Sequence, residues 1–331
     1  MAKTGSLQKI FDSFEKVNAL IIGDVMIDAY FWGNVERISP EAPVPVVSIV
    51  KKENRLGGAA NVAMNIQALG ATPILCSVIG NDASGRMFTG LLQELNMPSD
   101  GMVLSEERPT TVKTRIIGNN HQMLRVDEEQ EGEISVQERK ALLKRIEQII
   151  GSKKIDVIIF EDYDKGVISK LLIEQVIKLA GKNKIPVTVD PKRKNFNHYR
   201  HVTLLKPNLK ELREGMKIDL EKNDLENIRE AVAKLCTDHS IGMTLVTLSD
   251  KGIYLKNGKT DKLIPAHVRN IADVSGAGDT VISVASLCLA VKTSAEFMAT
   301  LANLAGGLVC EKVGVVPVDK QLLFEEANKL K

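Results

Sequence analysis

Asp273-Val274-Ser275-Gly276-Ala277-Gly278-Asp279-Thr280 is the stretch around which the whole chain can be read. Its small residues, Ser275 to Gly278, let backbone N–H groups approach a ligand closely. An apolar run follows at once, Val281 to Val291, and reads as a buried helix. The loop then becomes the N-terminus of that helix, where free N–H groups and the helix dipole favour an anion. Asp279 is out of place in a purely structural anion cradle, because a carboxylate repels the anion. It has a use there if it takes a proton from a hydroxyl that attacks phosphorus. Spacing alone also allows a plain Gly-rich turn ending in an N-cap Asp, so the rest of the chain must decide.

On both sides of this stretch, short apolar runs alternate with amphipathic ones. Residues 19–23, 73–79, 155–160, 185–189, 202–205 and 243–248 read as strands. Residues 84–95, 135–150, 168–180 and 225–236 read as helices, and Leu56-Gly57-Gly58-Ala59-Ala60-Asn61 opens another that stops near Gly70. Strands separated by helices of this length predict an α/β fold with a mostly parallel central sheet and helices on both faces. Two segments break the pattern. Three prolines within Ser39–Pro45 exclude a helix, and residues 44–49 look like an edge strand. Residues 101–127 are β-rich around Gly118-Asn119-Asn120. Both are expected in a small β appendage.

A chain of 331 residues has room for one large α/β domain or two smaller ones. Its formal net charge of +2 gives no reason to expect nucleic acid or membrane binding. Cys76, Cys236, Cys288 and Cys310 are far apart in apolar surroundings, which predicts buried thiols in a reducing, cytoplasmic setting. Residues 1–14 lack the apolar core of a signal peptide.

Polar clusters follow four of the expected strands: Glu161–Gly166, Asp190–Arg193, Lys206–Glu211 and Thr247–Gly252. The carboxyl edge of a parallel sheet is the default ligand site. Asp24 and Asp28 follow the first strand in the same way. Asn208 and Glu211, three apart at a helix start, suit a water-shared Mg²⁺ or a capping box equally well. Gly252 through Gly258-Lys259-Thr260 looks like a P-loop. Five residues separate its glycines where that motif has four, so a hairpin turn is the better reading.

With these motifs assembled, the chain resembles the ribokinase-like (PfkB) sugar kinases from end to end. Gly57-Gly58-x-x-Asn61-x-Ala63 is similar to the family's N-terminal signature, Asp273–Asp279 to its C-terminal one, and Asn208-x-x-Glu211 to its metal and phosphate motif. Gly23–Asp28 with Arg37–Val46 is similar to the branch that phosphorylates D-glycero-β-D-manno-heptose 7-phosphate. In many species that kinase is the first half of a bifunctional ADP-heptose synthase for the lipopolysaccharide core. The second half carries a His-x-Gly-His motif that none of the five histidines here forms, so a stand-alone kinase or an excised kinase domain is expected. Asp164 stands where the family has a small residue, and Ser275 where Thr is commoner.

The resemblance implies one kinase domain over residues 1–331, with β-lid segments near 30–55 and 101–127. It implies ATP as donor, with Mg²⁺ near Asn208 and Glu211 and a monovalent cation such as K⁺ near Asp273 and Ser275. Asp279 is then the base, with Gly276, Ala277 and Gly278 around the transferring phosphoryl group. ATP would meet Asn208, Leu209, Lys210, Glu211, Ser249, Gly252 and Asn303. The sugar phosphate would meet Asp24, Asp28, Gly57, Gly58, Asn61, Arg115, Arg125, Lys165 and Lys192, with Arg193 a further basic candidate. A homodimer through the lid is also implied. The alternatives are a ribokinase-like kinase for another sugar or a nucleoside, and a catalytically silent sugar-binding regulator.

Overall fold

The computed structural model describes residues 4–258, 260–267 and 269–330. Its first half runs α1 (Thr4–Phe14), β1 (Asn18–Gly23), β2 (Val25–Ile38), β3 (Pro45–Gly58), α2 (Ala59–Ala68), β4 (Thr72–Gly80), α3 (Ala83–Glu94), β5 (Met102–Ser105), β6 (Val112–Gly118) and β7 (His121–Glu128). There follow α4 (Val136–Ser152), β8 (Val157–Glu161), α5 (Lys170–Asn183), β9 (Val187–Asp190), β10 (Leu204–Leu205), α6 (Leu209–Met216), α7 (Leu225–His239), β11 (Met243–Thr247), β12 (Ile253–Asn257), β13 (Thr260–Ile264), α8 (Ala277–Ala290), α9 (Ala295–Val309) and α10 (Lys320–Lys329).

The apolar runs of β1 and β8 are continuous because both of their faces are covered. Ala19 and Ile21 enter one core, built with α1, α2, α8 and α9. Leu20 and Ile22 enter the other, built with α4, α5 and α7. Val157/Ile159 and Ile158/Phe160 divide in the same way. The resulting sheet has the order β13-β12-β11-β10-β9-β8-β1-β4-β5. It is parallel from β5 to β11 and antiparallel at the β12–β13 hairpin. That hairpin, where Asn257 pairs with Thr260, replaces the apparent P-loop; Lys259 of its turn lies outside the described residues. Chain order reverses beside β1, so the crevice at the ends of β1 and β8 is the topological switch point. Among the described residues no helix is long and apolar enough to cross a membrane.

A second sheet, β3-β2-β6-β7, stands apart from the first. Its bounds differ from the expected lid segments in two places. The strand read as loop acids begins at Val25, directly after β1, and continues for 14 residues with two register shifts that bend it. Residues 102–105 are not in this sheet at all. They pair with β4 at the edge of the main one, with Met102 in one core and Val103 in the other. Burial on both faces is the mark of the central sheet, and a four-residue apolar run does not announce it.

Two outcomes follow from this packing. A Cβ on Gly23 would lie 2.0 Å from the Glu161 carbonyl oxygen, so Gly23→Ala forces β1 and β8 apart. A loss of about 1–3 kcal/mol in denaturant unfolding is expected. Cys76 and Cys288 are fully enclosed, and burial pushes both thiols up to about 12. They are expected to react with a thiol reagent at pH 8 only after unfolding.

Candidate active site

Gly23, Glu161 and Asp190 end three adjacent strands in register, so their side chains and following loops share one crevice. Helix α8 starts over it. Gly276, at φ 78°, turns the chain into the helix, and α8 is buried from Asp279 to Cys288. Small residues on α2 let α8 pack against it closely, and Thr280 Oγ1 donates to Asn65 Oδ1 at 3.1 Å across that contact. Among the described residues, the N–H groups of Gly278 and Asp279 have no backbone acceptor. A Cβ on Gly278 would lie 3.5 Å from Lys206 Nζ and 3.6 Å from Asp190 Oδ2. The glycine keeps the crevice open where the helix dipole points into it.

Asp279 is buried and held from both sides. Asn61 Nδ2 donates to its Oδ2 at 2.6 Å, and Tyr163 Oη donates to its Oδ1 at 2.9 Å. Burial pushes its carboxyl up to about 6, against the two hydrogen bonds. Such a group accepts a proton near neutral pH more readily than an exposed Asp does. Asn61, expected at the sugar, is bonded to Asp279.

Below it lies a concentration of acid. Glu161, Asp190 and Asp279 each offer an oxygen within 4.8 Å of the others. Lys206 reaches Asp190 at 2.9 Å and Lys192 reaches it at 3.3 Å, while Lys192 also pairs with Glu211. Two of these acids, Asp190 and Glu211, pair with the two lysines, and Glu161 and Asp279 do not. The two lysines hold Asp190 below the usual range despite its burial. Burial, together with Asp190 and Asp279, pushes Glu161 well above it. Both Glu161 carboxylate oxygens are buried without a hydrogen-bond partner. An orphaned carboxylate beside two more is a donor set that fits a hard divalent cation such as Mg²⁺.

The expected metal position, Asn208 with Glu211, lies next to this cluster and is joined to it by Lys192. Asn208 and Glu211 form a reciprocal capping box, Asn208 N to Glu211 Oε2 and Glu211 N to Asn208 Oδ1, each 2.8 Å. With Lys192 on Glu211 Oε1, this pair is the N-cap of α6 and not a bare pair of ligands.

The expected sugar-side residues are also occupied. Asp24 accepts three backbone N–H groups, from Tyr163, Lys165 and Val167, at 2.9–3.1 Å, so its carboxylate holds the loop after β8 in place. Asp28 pairs with Arg115, Arg125 with Asp127, Lys165 with Glu129 and Glu131, and Lys192 with Asp190 and Glu211. The expected basic side chains are thus held in ion pairs, mostly with acids on or next to the second sheet. Arg193 is exposed. Gly57 and Gly58 end β3 where a Cβ would strike Asp28 Oδ2 or the Asp24 carbonyl, so they are spacers. Asp273 accepts from Ser275 N and Oγ and from Gly314 N, closing the loop before α8.

The remaining nucleotide-side positions lie toward the β11–β13 edge. Leu209 and Lys210 open α6, and Lys210 is exposed. Ser249 and Gly252 form the tight turn after β11, at φ 56° and 94°. Asn303 on α9 donates to the Pro265 carbonyl at 2.8 Å. Glu161, Tyr163, Asp190 and Lys206 were visible only as members of polar clusters after strands; nothing local singled them out.

A family model described as pfkB family carbohydrate kinase matches residues 17–321. The chain belongs to the pfkB family of carbohydrate kinases. Proteins named bifunctional protein HldE are similar to it. One from Sulfurimonas denitrificans is 40% identical over 310 residues, 94% of this chain and 64% of that protein. One from Helicobacter pylori is 40% identical over 296 residues, 89% of this chain and 63% of that protein. The chain thus spans less than two thirds of these curated relatives. Among solved structures, Escherichia coli phosphofructokinase-2 in complex with fructose-6-phosphate superposes with a TM-score of 0.76 at 19% identity, covering 94% of this chain and 99% of that one. Arabidopsis thaliana ribokinase complexed with ribose and ATP gives 0.70 at 18%, covering 95% and 99%. These share the ribokinase-like fold.

Asn61→Ala removes one of the two side-chain bonds that hold Asp279. It is expected to lower kcat by up to about a hundredfold. Steady-state kinetics beside a melting curve separates this from unfolding.

Proposed function

We propose that the protein transfers the γ-phosphoryl group of ATP to the anomeric 1-hydroxyl of D-glycero-β-D-manno-heptose 7-phosphate, giving the 1,7-bisphosphate. The observation that carries the kinase chemistry is Asp279 buried at the free N–H end of α8. The heptose assignment rests on the Gly23–Asp28 and Arg37–Val46 segments and on the HldE-named relatives over 94% of the chain.

In this reading Asp279 takes the proton of the attacking hydroxyl as its oxygen bonds to phosphorus and the bond to ADP breaks. The Gly276–Gly278 loop and the α8 dipole stabilise charge on the transferring oxygens, with Lys206 and Lys192 behind them. Glu161 and Asp190 would hold Mg²⁺, which neutralises phosphate charge when bound. A monovalent cation belongs near Asp273. The 7-phosphate meets the Arg115 and Arg125 side of the second sheet, which acts as a lid. There the phosphate competes with Asp28 and Asp127 for the guanidinium groups.

A panel of sugar phosphates with ATP, read by phosphorus NMR, tests the assignment. A new anomeric phosphate on the heptose is expected. Turnover confined to another sugar overturns the substrate, and no ADP release with any sugar favours a silent regulator. Asp279→Asn is expected to lose about two to four orders of magnitude in kcat while keeping nucleotide affinity.

The lid also serves as the contact with a second copy of the chain. Val44 and Ile49 are 52% and 41% exposed, and Leu124 on the adjoining strands is 55% exposed. Light scattering at micromolar concentration is expected to give a dimer, and Val47→Glu a monomer. A monomeric wild type removes the dimer, and a dimeric variant moves the interface elsewhere.

A further inference from the structure

The hydrogen bond from Tyr163 to Asp279 joins two parts of the chain that sequence reading kept apart. A carboxylate at the third position of a helix can rotate about two side-chain bonds. Asn61 alone would pin one oxygen and leave the plane of the group free to swing. Tyr163 supplies the second point, on the other oxygen, at 2.9 Å. Each carboxylate oxygen has a further lone pair, so one remains open to a substrate hydroxyl. A phenol stays protonated at neutral pH and donates here.

Tyr163 is in turn placed by a knot beneath it. Its N–H donates to Asp24 Oδ2 at 2.9 Å. Lys165 N donates to the same oxygen at 3.1 Å and Val167 N to Oδ1 at 2.9 Å. Asp164 at φ 57° and Gly166 at φ 94° give the loop the curvature that turns these N–H groups onto one carboxylate. Asp24 is buried and begins the lid-bearing segment directly after β1. Lys192 Nζ stands 5.5 Å from the Tyr163 ring centroid, which closes the other side.

We infer that Tyr163 is a positioning residue for phosphoryl transfer, fixing the Asp279 carboxylate against rotation, and that Asp24 acts through Tyr163 by shaping the 163–167 loop. This rests on Asp279 being the base. Neither residue is required to touch a substrate.

The test uses the full-length protein, ATP and the sugar phosphate that turns over in the NMR panel. Tyr163→Phe keeps the ring and removes only the hydroxyl. Its kcat is expected to fall about tenfold to a hundredfold with both KM values within about twofold of wild type. Asp24→Asn replaces one acceptor oxygen by an amide that cannot accept from the loop. It is expected to lower kcat similarly, and to add little in the Tyr163→Phe background, because the two act as one unit. Melting curves identify any variant that has not folded, and Tyr163→Phe alone still decides if Asp24→Asn has not. Full kcat in Tyr163→Phe, with Asp279→Asn inactive, overturns the role of Tyr163 and leaves the base intact. An active Asp279→Asn overturns the base itself. A kcat loss that multiplies fully in the double variant overturns the route from Asp24 through Tyr163.

Discussion

The site depends on excess negative charge in a place with little water. Glu161, Asp190, Glu211 and Asp279 surround Lys192 and Lys206, and most of these groups are buried. Like charges in low dielectric cost far more than at a surface, so the cluster persists only because the sheet, α8 and α6 hold it together. Burial first, and the neighbouring carboxylates after it, raise Glu161 and Asp279 above the usual carboxylate range. A divalent cation arriving with a nucleotide would relieve the excess negative charge. Burial is the main source of the raised proton affinity of Asp279.

Around that cluster the fold uses polar side chains as fasteners. Asn65 and Thr280 tie α2 to α8, Asn61 ties α2 to Asp279, and Asp24 ties the end of β1 to the loop after β8. Lys165 in that loop also pairs with Glu129 and Glu131, just past the last strand of the lid. The second sheet and Asp279 are therefore connected through one short loop, with Tyr163 at one end and Lys165 at the other.

Much of the architecture was legible in the chain. Continuous apolar runs of strand length, separated by capped amphipathic helices, can only bury both faces of a parallel sheet. The Gly-rich loop before an apolar run marked a helix start, and α8 begins there. These elements were legible because their signals are local: period, capping and turn chemistry act over a few residues.

What the tertiary structure alone decided is the pairing of polar groups. Asn61 and Asp279 are 218 residues apart, and Tyr163 and Asp279 are 116 apart. Asp24 and Lys192 were read as substrate contacts; in the fold one accepts three backbone N–H groups and the other pairs with two carboxylates. Residues 102–105 looked like part of the lid until burial on both faces placed them in the main sheet. A polar residue's partner is set by which strand ends the topology brings side by side and by the rotamers left open there. Local sequence states the donors and acceptors; only the folded chain determines which of them meet.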